Sequence, residues 1–241
     1  MRATGRLLLH DPQSRNYEAP RAAVRPASVL HTLGPVLNQR DVNGCVGWTG
    51  ANLLNASKAA SARTRYNRAV HPAGLGSSRG RAYLGDADGV KLYELATRND
   101  PFRWTYPPTD GGSSGLGLGK ALKALGVIEG YDWTFDFGQL IAHAQRQPVA
   151  LGIIWTDPMN DPDAKGLIHI GTDRDVKRAA DRNLGHEVTL RGINWPRKLA
   201  RIRNQWGASW GLKGDALIPL DELERLVIDH RGDCMVPRWA T

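Results

Sequence analysis

The order of apolar and polar positions divides the chain into an early helical region and a later region of short strands. From Cys45 to about Tyr66 there is neither proline nor an interior run of β-branched residues. Val46, Gly50, Leu53, Ser57 and Ala60 make one small or apolar stripe there at helical spacing. Residues 67–85, rich in Gly, Pro, Ser and Arg, predict a loop before a second helix from about Ala87 to Arg98, which Asn99-Asp100-Pro101 stops. After the loop TYPPTDGGSSG, a third helix runs through Leu118, Ala121, Leu122 and Leu125, capped by Ser113 or Ser114 and ended at Gly126. Phe137, Leu140, Ile141 and Ala144 predict a short helix, and PVALGIIW directly after it reads as a continuous apolar strand. Strand-like HEVTLRGI, ARIRNQW and GDALIPL then alternate with turns before a helical DELERLVID.

Helices early and strands late predict an α+β protein of two unlike halves, and a cleft between halves is a usual home for a substrate. The expected division, within one domain over 1–241, is a mainly helical half at 33–137 and a mainly β half at 138–230, with 1–32 packing across the latter. A chain of 241 residues with 41% hydrophobic content can bury a sizeable core. The opening MRATGRLLLH has too short an apolar run for a signal peptide, and no stretch reaches membrane-spanning length. No membrane partner is expected, and a cytoplasmic or assembly-associated place is favoured.

Charge changes the picture in one region only. The net charge is +8, and residues 1–82 hold 12 Arg or Lys against 3 acids, including five arginines between Ser61 and Gly85 with no acid among them. Such a basic N-terminal third is either a solvated surface or a face for an acidic partner. No nucleic-acid-binding motif accompanies it. Two cysteines, Cys45 and Cys234, exclude a disulfide framework and lean towards a reducing compartment.

Cys45 stands at the predicted start of a helix, where the positive end of the helix favours thiolate. An isolated cysteine is more often a small buried hydrophobe, so its partners decide the matter. His186 begins a strand 141 residues later, in a setting that suits a general base. Asn204, 159 residues after Cys45, is placed to orient that imidazole, and Trp206 to shield their hydrogen bond from water. These separations lie near the roughly 130–150 residues of papain-type enzymes.

With those residues in view, the sequence resembles the papain family of cysteine peptidases over about 180 residues, from Gln39 to Leu217. Gln39, six residues before Cys45, matches the family's oxyanion-hole glutamine. GHEVTLRGI looks like its histidine strand and NQWGASWGLKGDALI is similar to its asparagine segment. DGGSSGLGLGKALKALGV is similar to its double-glycine region and QPVAL to the strand lining its main specificity pocket. The resemblance implies a papain-like α+β fold, with a helical half and an antiparallel β-barrel-like half flanking an active-site cleft. It implies catalytic Cys45, His186, Asn204 and Gln39, and substrate-binding Gly111, Gly112, Val149 and Trp206, acting on an extended peptide or protein. For the two glycines alone, a plain turn explains the sequence as well. The sequence departs from the family at Val42, Val46, Gly185 and Gln205. Only 44 residues precede Cys45, so no long inhibitory propeptide is expected.

Competing signals are weaker. The second histidine of a zinc H-E-x-x-H motif would fall at Leu190, so no metal is expected, nor any cofactor. GSSRG at 76–80 lacks the apolar strand of a serine-hydrolase elbow. His169 is expected in a core or edge strand, His143 in solvent, Trp155, Trp195, Trp210 and Trp239 in packing, and Cys234 as a non-catalytic free thiol. The expected function is therefore cysteine-type peptide hydrolysis. The alternatives are a papain-fold protein with a binding or structural role in a larger assembly, and cleavage of cell-wall peptide.

Overall fold

The proline-free stretch after Gly44 forms helix, but in two pieces. In the computed structural model, which describes residues 5–7, 16–71 and 83–240, helix α1 (Cys45–Leu54) ends at Asn55. The Asn55 carboxamide is engaged by one peptide unit: its Nδ2 donates to Leu84 O at 3.0 Å and its Oδ1 accepts from Leu84 N at 2.7 Å. A side chain anchored on remote backbone cannot lie along a continuing helix, and a single 3₁₀ turn (Ser57–Ala59) redirects the chain into α2 (Ala60–Val70). GSSRG, and Arg79 and Arg81 of the basic stretch, lie outside the described residues.

Helix α3 (Asp86–Asn99) crosses α1 so closely that a Cβ at Gly47 would lie 2.2 Å from Gly89 O. Helix α4 (Gly115–Ala124) is capped by Ser114, whose side chain accepts from Gly117 N at 3.0 Å. Trp48, Leu53, Leu92, Tyr93, Leu118 and Leu122 form the core between these helices.

The strands β1 (Val29–Leu30), β2 (Ile128–Trp133), β3 (Val149–Ile154), β4 (Gly185–Asn194), β5 (Leu199–Arg203), β6 (Asp215–Pro219) and β7 (Asp233–Trp239) form one antiparallel sheet. Its order is β2-β7-β3-β4-β5-β6, with β1 pairing on β4. Pro237 obscured β7 in the sequence; β3 pairs with β7 only between Asp233 and Met235, so the proline lies beyond that seam. Helices α5 (Phe137–Ala144), α6 (Asp173–Asp181) and α7 (Leu220–Ile228) complete the fold. Helix α6 was not legible as an apolar stripe because only Val176 and Ala179 of it are buried.

Strands β3 and β7 separate two cores. Alternation along β3 turns Val149, Leu151 and Ile153 into the core of the β half, while Ala150 joins the helical core. The expectation for Val149 is thereby corrected: it is a core residue, and Gly152 is the β3 position facing the cleft. Residues 16–32 run along the β half, with Ala19 N donating to Trp133 O at 2.8 Å and Ala22 N to Gln139 Oε1 at 2.8 Å. That cover buries His143, whose Nε2 bonds Pro20 O at 2.9 Å, contrary to the expected solvation.

Replacing Asn55 by alanine strands both Leu84 peptide groups in the core. The loss expected is about 1–3 kcal/mol, measured as a lower midpoint of denaturant unfolding at unchanged slope.

Candidate active site

Cys45 is positioned by the turn before it. Asp110 accepts from Asn43 N through both carboxylate oxygens, at 3.1 and 3.0 Å, and from Tyr93 Oη at 2.8 Å. Tyr93 Oη in turn accepts from Gly112 N at 2.9 Å, so one carboxylate ties the cysteine turn to the double-glycine loop. Neither Asp110 nor Tyr93 carries a local sequence signal for this task.

The first residues of β4 face the start of α1. Glu187 N donates to Cys45 Sγ at 3.4 Å, and Glu187 O accepts from Thr49 Oγ1 at 3.0 Å and from Gln205 Nε2 at 2.7 Å. Gln205 Nε2 also reaches Cys45 O at 3.3 Å, which staples α1 to β4. His186, one residue before Glu187, has its Nε2 2.8 Å from Asn204 Oδ1. The same Oδ1 accepts from Gln205 N at 2.8 Å, and a peptide N–H can only donate, so the carboxamide oxygen faces the ring. Nε2 therefore carries the proton and Nδ1 is the basic nitrogen. Nδ1 is buried and makes no hydrogen bond among the described residues. Trp206 stacks on the imidazole, with centroids 4.9 Å apart and planes at 24°, and Trp155 meets it edge-on at 4.8 Å. Trp206 and Asn204 thus both touch the histidine ring, and the residue after it, Glu187, reaches the sulfur of Cys45 through its main-chain N–H.

Gln39 is buried nearby, its backbone N donating to Gln205 O at 2.8 Å and its Nε2 to Val42 O at 2.7 Å. Gly112, at φ +87°, faces Gly5, and a Cβ there would lie 2.3 Å from Gly5 O. Gly111 packs against Trp104.

The cleft holds the chain's own residues Gly5–Leu7. Arg6 N donates to Gly185 O at 3.1 Å, Leu7 N to Ser113 O at 2.7 Å, and Ser113 N to Gly5 O at 3.0 Å. Backbone pairing on the glycine side therefore runs through Ser113. This segment does not follow residues 16–32 across the β half.

With the cleft filled, Cys45 and His186 are fully buried, and burial governs their chemistry. Desolvation lowers the imidazole pKa to about 4, against the opposing hydrogen bond to Asn204. Desolvation likewise raises the Cys45 thiol, against the Glu187 amide and Arg6. The helix terminus expected to favour thiolate is outweighed, and this closed state holds a thiol and a neutral imidazole.

The remaining candidates fall in other settings, except that Trp155 also meets the His186 ring. His169 is exposed, its Nδ1 2.6 Å from Glu222 Oε1, so the expected core setting is corrected. Cys234 is a buried free thiol on β7, raised to about 12 by burial. Trp155 and Trp210 pack around Asn160, donating to its side-chain and main-chain oxygens at 3.1 and 2.8 Å. In the basic N-terminal third, Lys58 and Arg63 donate to the main-chain oxygens of Arg146 and Leu54.

No family model matches the chain, and no curated protein matches it. Solved structures do. Xylellain, a cysteine protease from Xylella fastidiosa, aligns at a TM-score of 0.57 and 19% identity over 100% of this chain and 98% of that one. Digestive procathepsin L 3 of Tenebrio molitor aligns at 0.52 and 16% over 98% of this chain and 76% of that one. The ragweed pollen cysteine protease Amb a 11, in its proform, aligns at 0.51 and 15%, covering 92% and 67% respectively. The fold is that of the papain-like cysteine proteases.

Gln205→Ser removes the reach to Glu187 O and Cys45 O, and destabilisation of about 1–3 kcal/mol is expected by chemical denaturation. The depressed His186 pKa sets a pH dependence. Unfolded, the ring takes up a proton near 6.5, whereas folded it resists until about 4. The closed state is therefore penalised progressively as pH falls through that window, by about 3 kcal/mol at its lower end. His186→Gln, compared with the wild type by urea unfolding between pH 7 and 4, is expected to show a correspondingly shallower loss.

Proposed function

We propose that the chain is a papain-like cysteine peptidase that hydrolyses peptide bonds with Cys45, His186, Asn204 and Gln39. The observation that carries this reading is the Asn204-held imidazole, whose basic Nδ1 makes no hydrogen bond among the described residues, next in sequence to Glu187, whose N–H reaches the sulfur of a cysteine at a helix N-terminus. When Gly5–Leu7 leaves the cleft, water returns and the penalty against the ion pair falls. Cys45 then gives its proton to His186 Nδ1, and the thiolate attacks the carbonyl carbon of an extended peptide lying between Ser113 and Gly185. The oxyanion is received by the Cys45 N–H and by Gln39 Nε2, turned from Val42 O, each donor worth roughly 2.7–4 kcal/mol. His186 protonates the departing amine. Water, deprotonated by the same ring, then cleaves the thioester and restores the thiol.

A second reading, a papain-fold protein that binds without catalysis, draws on the closure of the cleft over Cys45. The thiol-directed epoxide E-64 separates the two. Stoichiometric labelling at neutral pH, followed by intact mass, is expected for the wild type, faster for Arg6→Ala, and absent for Cys45→Ala. An Arg6→Ala protein that folds yet leaves Cys45 unlabelled overturns the peptidase reading in favour of the binding one.

A further inference from the structure

Arg6 does more than lie in the cleft. Its guanidinium enters a pocket in which Nη2 bonds Asp233 Oδ2 and Nε stands 3.7 Å from Glu187 Oε2, with the Arg6 side chain 1% exposed and that of Glu187 0%. Burial alone lowers the pKa of a guanidinium, but Asp233 and Glu187 outweigh it and Arg6 is raised. The pocket is shaped for a long cation. A Cβ at Gly152 would lie 2.3 Å from Arg6 Nε, so the strand position facing the pocket is one that leaves it room. Among the described residues, Glu187 Oε1 and Oε2 and Asp233 Oδ1 are buried without a hydrogen bond, as is Arg6 Nε, so the pocket holds more acceptors than Arg6 engages. The backbone on either side is equally fitted. Gly5 is at φ +95° with its would-be Cβ 2.0 Å from Asn43 O, and a Cβ at Gly185 would lie 2.4 Å from Arg6 O. Beside Arg6 lies a cavity of about 270 Å³, lined also by Ile154, Leu184, Gly185, Asp229, His230 and Arg231.

We propose that Glu187, Asp233 and Gly152 form an arginine-selective subsite, now filled by Arg6, so that the peptides this cleft accepts are those that bring a guanidinium to replace it. The proposal rests on the reading of the cleft as a peptide groove. An apolar side chain there leaves two buried carboxyl groups unpaired, and that penalty is the source of selectivity. A lysine reaches the same charge with one compact ammonium and lacks the planar fork that can meet both acids.

The test measures binding apart from cleavage. The background is the full-length Cys45→Ala/Arg6→Ala protein. The probe is a fluorescein-labelled peptide of the chain's first twelve residues, compared with the same peptide carrying leucine at its sixth position, by anisotropy. The arginine peptide is expected to bind at least about tenfold more tightly, and Asp233→Asn added to the background is expected to remove most of that difference. Equal affinities, a preference for leucine, or binding of neither peptide to a protein that circular dichroism shows folded overturns the subsite. Should the Arg6→Ala background not fold with its carboxyl groups stranded, Arg6→Gln keeps a polar group in the pocket and the same ranking is required there. The two readings fail separately. A retained arginine preference with a Cys45 inert to E-64 removes the peptidase alone; labelling without the preference removes the subsite alone.

Discussion

The two halves of the molecule meet on the main chain of Glu187. Its N–H faces the sulfur of Cys45, and its carbonyl oxygen takes a hydroxyl from α1 and a carboxamide from Gln205. Every group in that junction is buried, so each hydrogen bond holds in place a polar atom that water cannot reach. The strand end cannot slide by one residue without turning His186 away and presenting the wrong face to the helix. This seam fixes the register that brings Glu187, the residue after His186, onto the sulfur of a cysteine remote in sequence.

A filled cleft imposes its own constraint. Placing Glu187 and Asp233 together out of water raises the Glu187 carboxyl well above its usual range, through burial first and the neighbouring Asp233 second. Arg6 opposes that shift and is the cation nearest both acids among the described contacts. The same closure keeps the Cys45 proton on sulfur and off the imidazole. Occupancy of one pocket and protonation of the thiol are thus linked through exclusion of solvent.

The fold and the candidate residues were more legible in the sequence than the placement of their neighbours. Cys45, His186 and Asn204 stood out because nucleophilic catalysis restricts residue types and their order along the chain. Asp110 and Tyr93 were hidden because their work depends on a turn and a loop that meet only in three dimensions. Val149 was misread for a related reason: a continuously apolar strand has no period from which to tell its two faces, and Gly152 proved to be the cleft position. His143 and His169 exchanged expected surroundings, since exposure is decided by what covers a side chain. Residues 16–32 bury the one; nothing in its local pattern announced that the other would pair with Glu222 at the surface. The break after α1 escaped notice because Asn55 is helix-compatible until Leu84 claims its carboxamide.

Two of the departures from the papain pattern, at Gly185 and Gln205, have an explanation in this geometry. Gly185 stands where the family carries a larger polar residue, and any Cβ there would collide with Arg6 O. Gln205 replaces a serine, and only the longer side chain spans from the asparagine segment to the carbonyl groups of both Cys45 and Glu187. A glutamate directly after the histidine gives the pocket beside it an acid, which is tolerable in a buried site only with a cation at hand. The missing side chain at 185 leaves room for the Arg6 main chain, and the acid at 187 faces the Arg6 guanidinium. Cys45, His186 and Asn204 are of the types that thiol chemistry requires, while Gly185 and Glu187 beside them are placed against the main chain and guanidinium of Arg6.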